Sequence, residues 1–87
     1  MIYYVYLIKT INGLKNKSYV GFTNNIENRI AKHNSNKGAK STKGYIWEII
    51  YKKRFLKKKE AMSYEYKLKN DRKKRSSILK KHNDKRN

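Results

Sequence analysis

The run from Ile2 to Ile8 constrains the fold more than any other segment. Its residues, Ile-Tyr-Tyr-Val-Tyr-Leu-Ile, are all β-branched, aromatic or aliphatic. With no polar side it reads as a strand buried on both faces. Such a strand needs cover above and below, and the 87-residue chain allows one domain to supply it. A domain this small must fill its core compactly. Eight Tyr, two Phe and one Trp offer large apolar area from few residues. The run is too short to span a membrane, and no stretch of roughly 18 apolar residues occurs elsewhere. It also lacks the basic leader and small-residue cleavage site of a signal peptide. Without cysteine, disulfides and thiolate metal sites are excluded. A reducing compartment is compatible, and a cytoplasmic location is expected.

Ser18-Tyr-Val-Gly-Phe22 reads as a second strand. Asn12-Gly13 marks a turn before it, inside a loop short enough for an antiparallel hairpin. Thr23, Asn24 and Asn25 offer N-caps for a first helix, expected from about Asn25 to His33. Asn34 to Gly44 is a basic loop. Ile46 to Tyr51 reads as a third strand with scope to reach Phe55, and a second helix follows from about Lys58 to Lys69. The tail from Asp71 to Asn87 carries eight basic residues, with Ile78 and Leu79 as its strong apolar anchors. It has room for a short third helix, with Ser76 or Ser77 as cap and fraying after about His82. The order β-β-α-β-α, with this terminal helix, predicts an α+β domain. Its small three-stranded, mainly antiparallel sheet is flanked by helices. Residues 1–75 would form the domain and 76–87 a basic C-terminal helix or tail.

The formal net charge is +18, from 24 Lys and Arg against 6 Asp and Glu. Such a field attracts polyanions, of which nucleic acid is the commonest. Codon bias accounts for the preference of Lys over Arg, but not for the scarcity of acids. An anionic membrane surface is the weaker alternative partner.

Three places put polar groups against apolar faces. At ~100° per residue, Ala61, Met62, Tyr64, Tyr66 and Leu68 span a broad apolar arc of the second helix, with Glu65 in its middle. An ionised carboxylate there is costly unless paired or bound to a cation. A salt bridge to a neighbouring Lys or Arg, or a place at the helix rim, accounts for it equally. On the first helix Arg29 and His33 are four residues apart and flank the stripe of Ile26 and Ile30. They are placed to bind a phosphate together, or else to snorkel and to cap the last turn. Tyr6 and Tyr19 lie on the first two strands and would share a face if these pair. Packing is the ordinary role of such residues, and catalysis would need a lowered pKa.

The motifs together resemble the GIY-YIG nuclease family. Tyr4-Val5-Tyr6 is similar to its GIY element, with Tyr4 where the family usually has glycine, and Tyr19-Val20-Gly21 is similar to YIG. Arg29 follows Tyr19 by ten residues, and His33 stands at the family's R-x-x-x-H spacing. Glu65 stands where the family places its metal-binding glutamate. The segment from His33 to Thr42 looks like the small stand-alone bacterial branch, which is similar to the N-terminal nuclease domain of UvrC.

The resemblance implies a three-stranded antiparallel sheet with helices and a Mg²⁺- or Mn²⁺-dependent endonuclease. It implies a single divalent ion on Glu65 and a tyrosine general base, Tyr6 first and Tyr19 second. Arg29 would stabilise phosphate charge, with His33 beside it. Lys40, Lys43, Arg72, Lys73 and Lys74 are expected to contact nucleic acid. The substrate class would be branched, flapped or damaged DNA. A monomer without a small-molecule cofactor is expected. Two departures stand out: Phe22 replaces the lysine that follows the glycine in UvrC-like members, and Ser77 or Asn70 stands near the place of a family asparagine.

Two other functions compete with this one. A nucleic-acid-binding module with weak or no cleavage, on DNA or RNA, would keep the basic surface. A protein-interaction domain would show an exposed apolar patch.

Overall fold

The computed structural model describes residues 1–11, 17–35 and 44–86. Strands β1 (Tyr3–Thr10), β2 (Ser18–Thr23) and β3 (Trp47–Phe55) form one sheet, and helices α1 (Ile26–Asn34), α2 (Lys58–Asn70) and α3 (Arg72–Arg86) flank it. The strand order is β2-β1-β3, and both pairings are antiparallel. The apolar β1 therefore takes the centre, where both its edges and both its faces are covered. The α+β expectation holds, and so does the burial of β1 on both faces. Asn12-Gly13 lies outside the described residues.

Side chains alternate along β1 and build two separate cores. Val5 and Leu7 join Val20 of β2 and Ala61 and Leu68 of α2 on one face. Ile78 of α3 packs against the same cluster. Tyr6 and Ile8 join Trp47 of β3 on the other face, under Ile26 and Ile30 of α1. One helix thus covers one face of the sheet and two cover the other.

The ladder between β1 and β3 is irregular at one point. Leu7 pairs with Tyr51 but Ile8 pairs with Ile49, which leaves Ile50 as an extra residue. A bulge of this kind shifts the alternation of one strand by one residue. Trp47 and Ile49 consequently face α1, as do Lys52 and Arg54 beyond the bulge, by their pairing with Tyr6 and Tyr4.

Several local expectations change. Met62 and Tyr66, placed in the apolar arc of α2, are 48% and 71% exposed. The contact surface of α2 is narrower than the arc, because against the small sheet it buries only the stripe of Ala61 and Leu68. The terminal helix begins at Arg72 rather than after the serines. Asp71 Oδ1 accepts from the Lys74 backbone N–H at 3.0 Å, which makes Asp71 the cap. The helix continues to Arg86, past the point of expected fraying. Asn25 caps α1 as anticipated, its Oδ1 accepting from Asn28 N–H at 3.1 Å. Among the described residues no helix is long and apolar enough to cross a membrane.

Candidate active site

Four of the five candidate catalytic side chains meet on the α1 face of the sheet. In the β1–β2 ladder Tyr6 pairs with Gly21 and Ile8 pairs with Tyr19. Both phenols therefore project from the same face, with ring centroids 6.4 Å apart. On α1, Arg29 and His33 stand one turn apart and reach down to them. Arg29 Nε donates to the Tyr6 hydroxyl at 3.3 Å, and His33 Nε2 lies 2.9 Å from the same oxygen. The His33 ring is edge-on to Tyr19 at 5.1 Å and to Tyr6 at 5.9 Å.

Gly21 makes this packing fit. A Cβ at that position would lie 2.6 Å from Tyr6 Cζ and 3.1 Å from Tyr19 Cε1, and closer still to the Tyr6 hydroxyl. The Tyr6 phenol lies over the bare Cα of β2, so any side chain there would push it off its partners.

Burial sets the protonation of the cluster. Tyr6 is 1% exposed, and its phenol is pushed up to about 12 by burial, against the opposing hydrogen bond and charge of Arg29. Tyr6 therefore keeps its proton at neutral pH. His33 is fully buried, and burial together with the Arg29 charge holds it below its ordinary value. The economical assignment has Tyr6 O–H donating to neutral His33 Nε2 while its oxygen accepts from Arg29. Arg29 is raised, first by its hydrogen bond to Tyr6 and also by one to Tyr19. Among the described residues the ion pairs are Lys69–Glu65 and His82–Glu48, so no carboxylate neutralises Arg29.

Glu65 is not part of this cluster. It projects from α2, which covers the opposite face, and its carboxylate lies 3.4 Å from Lys69 Nζ one turn along. That is the neighbouring-lysine salt bridge the sequence left open. The Glu65 side chain is only 19% exposed, and its charge raises the Tyr6 phenol, as the smallest of five influences. Its field thus reaches the cluster although its oxygens do not touch it.

The other expected contacts are dispersed. Lys40 and Lys43 lie outside the described residues. Arg72, Lys73 and Lys74 are exposed on the first turn of α3, in the layer away from the tyrosines. Lys74 also sits 5.7 Å from the Tyr64 ring. Arg75 serves the fold instead: its Nη1 donates to the carbonyls of Leu68 (2.8 Å) and Lys69 and closes the end of α2. A cleft of about 570 Å³ opens elsewhere, between β3 and α3, lined by Tyr51, Lys74, Ser77, Ile78 and Lys81.

Sequence reasoning missed Lys52 and Arg54, two exposed cations that share the face of Tyr4 and Tyr6. Their alternation was visible; the bulge that turns them to this face was not.

A tyrosine pair, a guanidinium without an ion-pair partner among the described residues and a buried imidazole thus meet on one face of a three-stranded antiparallel sheet. The chain belongs to the GIY-YIG catalytic domain family, whose model matches residues 2–83. This membership places it among nucleases. It is similar to UPF0213 protein OB0043 of Oceanobacillus iheyensis, 41% identical over 68 residues that cover 77% of this chain and 76% of that one. It is likewise similar to UPF0213 protein SH2523 of Staphylococcus haemolyticus, 44% identical over 77% of this chain and 79% of the other. The solution NMR structure of UPF0213 protein BH0048 from Bacillus halodurans superposes with a TM-score of 0.53 at 35% identity, covering 92% of this chain and 84% of that one.

Proposed function

We propose that this chain is a metal-dependent endonuclease that hydrolyses phosphodiester bonds in branched, flapped or damaged DNA. The observation that carries the reading is Arg29. It is a half-buried cation whose Nε is held by the Tyr6 hydroxyl, with no carboxylate partner among the described residues. A guanidinium so fixed is built to receive an anion and to stabilise charge that develops on it.

The roles divide by burial. Tyr6 stays protonated and locks Arg29 and His33 in place. It was the first candidate for general base, but a phenol at about 12 that is 1% exposed is poorly suited to take a proton from water. Tyr19 is only half-buried and its ring lies 6.4 Å from that of Tyr6 in the same cluster, so the role passes to it. His33, neutral and buried, positions the cluster.

Glu65 suits a divalent cation. Its carboxylate is a hard oxygen donor on a largely buried side chain, and a bound cation would take the place that Lys69 Nζ now holds 3.4 Å away. Among the described residues no group of three or more acidic or imidazole ligands exists. That fits an ion such as Mg²⁺, which keeps waters and phosphate oxygens as most of its ligands. When bound, it would supply Lewis-acid polarisation of the phosphate and of water.

The pairing of Glu65 with Lys69 favours a second reading, a nucleic-acid-binding module with weak or no cleavage. Flap, splayed-arm, four-way-junction and single-stranded substrates with Mg²⁺ separate the two. Under the first reading the wild type cuts at least one of them. Glu65→Gln and Tyr19→Phe then each lose roughly 100-fold or more in rate while still binding. Binding without cutting across the whole set supports the second, and wild-type rates in either variant remove that residue from the chemistry.

A further inference from the structure

Tyr4 stands two residues before Tyr6 on the same face of β1, roughly 7 Å along the strand. It is half-buried, yet it belongs to neither core cluster. The apolar side of α1 covers the Ile8, Trp47 and Ile49 end of this face rather than the Tyr4 end. A large ring in the middle of a sheet normally packs into a core, and this one does not. It occupies the position where the family motif usually carries glycine.

Its surroundings are cationic. Arg54 is its cross-strand partner on β3, and Lys52 Nζ lies 5.7 Å from its ring centre. Both cations are exposed, and among the described residues neither has a carboxylate partner. A half-buried aromatic ring outside the core beside unpaired cations is a pattern that binds single-stranded nucleic acid, with the base on the ring and the phosphates on the charges.

We propose that Tyr4, Lys52 and Arg54 form a subsite for one unpaired nucleotide next to the Tyr6–Arg29 cluster. The inference rests on the nuclease reading and adds its substrate class: nucleic acid with a single-stranded segment at the site. The Tyr4 ring stacks the base. The Lys52 ammonium and the Arg54 guanidinium hold the flanking phosphates and lead the strand towards Arg29.

The test compares an oligothymidylate carrying one 2-aminopurine with a blunt duplex of equal length. Binding is read by anisotropy and stacking by 2-aminopurine fluorescence. Tyr4→Ala should weaken single-strand binding about tenfold and leave duplex binding nearly unchanged, whereas Tyr4→Phe keeps both. Scanning the 2-aminopurine should find one position quenched by wild type and Tyr4→Phe but not by Tyr4→Ala. The double substitution Lys52→Gln/Arg54→Gln should flatten the salt dependence of single-strand binding. Should Tyr4→Ala not fold, the wild-type quenching scan and the β3 double substitution decide alone. Equal losses on single strand and duplex, or no quenched position, overturn the subsite. If the wild type binds and cuts while Tyr4→Ala behaves identically, only this inference falls. If the wild type binds no nucleic acid, the nuclease reading falls with it.

Discussion

Gly21 lies opposite Tyr6 in the β1–β2 ladder, and its missing side chain is what lets the phenol reach Arg29 and His33. Gly21→Ala would set a methyl group against the Tyr6 ring, which is 1% exposed and bonded to Arg29 and His33. We expect a loss of about 1–3 kcal/mol in urea unfolding, as for other overpacked sites. An unchanged midpoint would show that the ring can move aside. His33 carries a second residue-scale consequence. Its folded pKa lies below the unfolded value of about 6.5, because burial and Arg29 oppose its charging. Below that pH the unfolded chain binds a proton that the folded chain refuses. Stability should therefore be complete above pH ~6.5 and decline as pH falls towards the folded pKa. Thermal unfolding of wild type and His33→Gln at pH 7 and 5 checks this: the acid-induced loss should shrink in the variant.

The elements are joined by side chains at their ends as much as by the two cores. Asn34, at the end of α1, donates through Nδ2 to Trp47 O at 3.1 Å and accepts from Trp47 N–H at 2.7 Å. This pair of bonds ties α1 to the start of β3. At the junction of α2 and α3, Asp71 caps one helix while Arg75 closes the other. The cap matters more than usual, because Arg72, Lys73 and Lys74 crowd cations into the first turn of α3, where the helix dipole disfavours them. Asp71→Ala should cost about 1 kcal/mol. Hydrogen exchange should show the loss concentrated in α3, with β1 amides little affected; uniform loss would mean that α3 unfolds only with the whole domain. Farther along α3, His82 Nε2 meets Glu48 Oε1 of β3 at 2.8 Å and fastens the helix to the sheet.

For the molecule as a whole, the charge of +18 governs behaviour towards polyanions. Lys52, Lys53 and Arg54 leave the edge strand β3 lined with exposed cations, which discourages edge-to-edge pairing. Affinity for DNA should fall linearly with salt on a log–log plot, by roughly 0.9 of slope for each duplex phosphate contacted. Replacing Lys40 and Lys43, or Arg72 and Lys73, by Gln should make that slope shallower by roughly 1–2 if both side chains of the pair touch phosphates. A slope that stays unchanged removes that pair from the interface.

The sequence by itself determined what local periodicity and composition can determine. The apolar run Ile2 to Ile8 required a strand covered on both sides, and it became the central one. The i, i+4 spacing of Arg29 and His33 put them on one side of a helix. The order of the motifs identified the family. Tertiary structure decided which groups meet. Tyr6 and Tyr19 differ in burial because one stands on the central strand, packed over Gly21, and the other on the edge strand. Lys52 and Arg54 share the face of Tyr6 only because the extra residue at Ile50 shifts the alternation of β3; without it, Lys53 would stand there. Glu65 pairs with Lys69 rather than with the phenols because α2 buries the Ala61–Leu68 stripe on the other core. Each of these outcomes depends on register and layer order between segments distant along the chain, and no pattern within one segment carries that information.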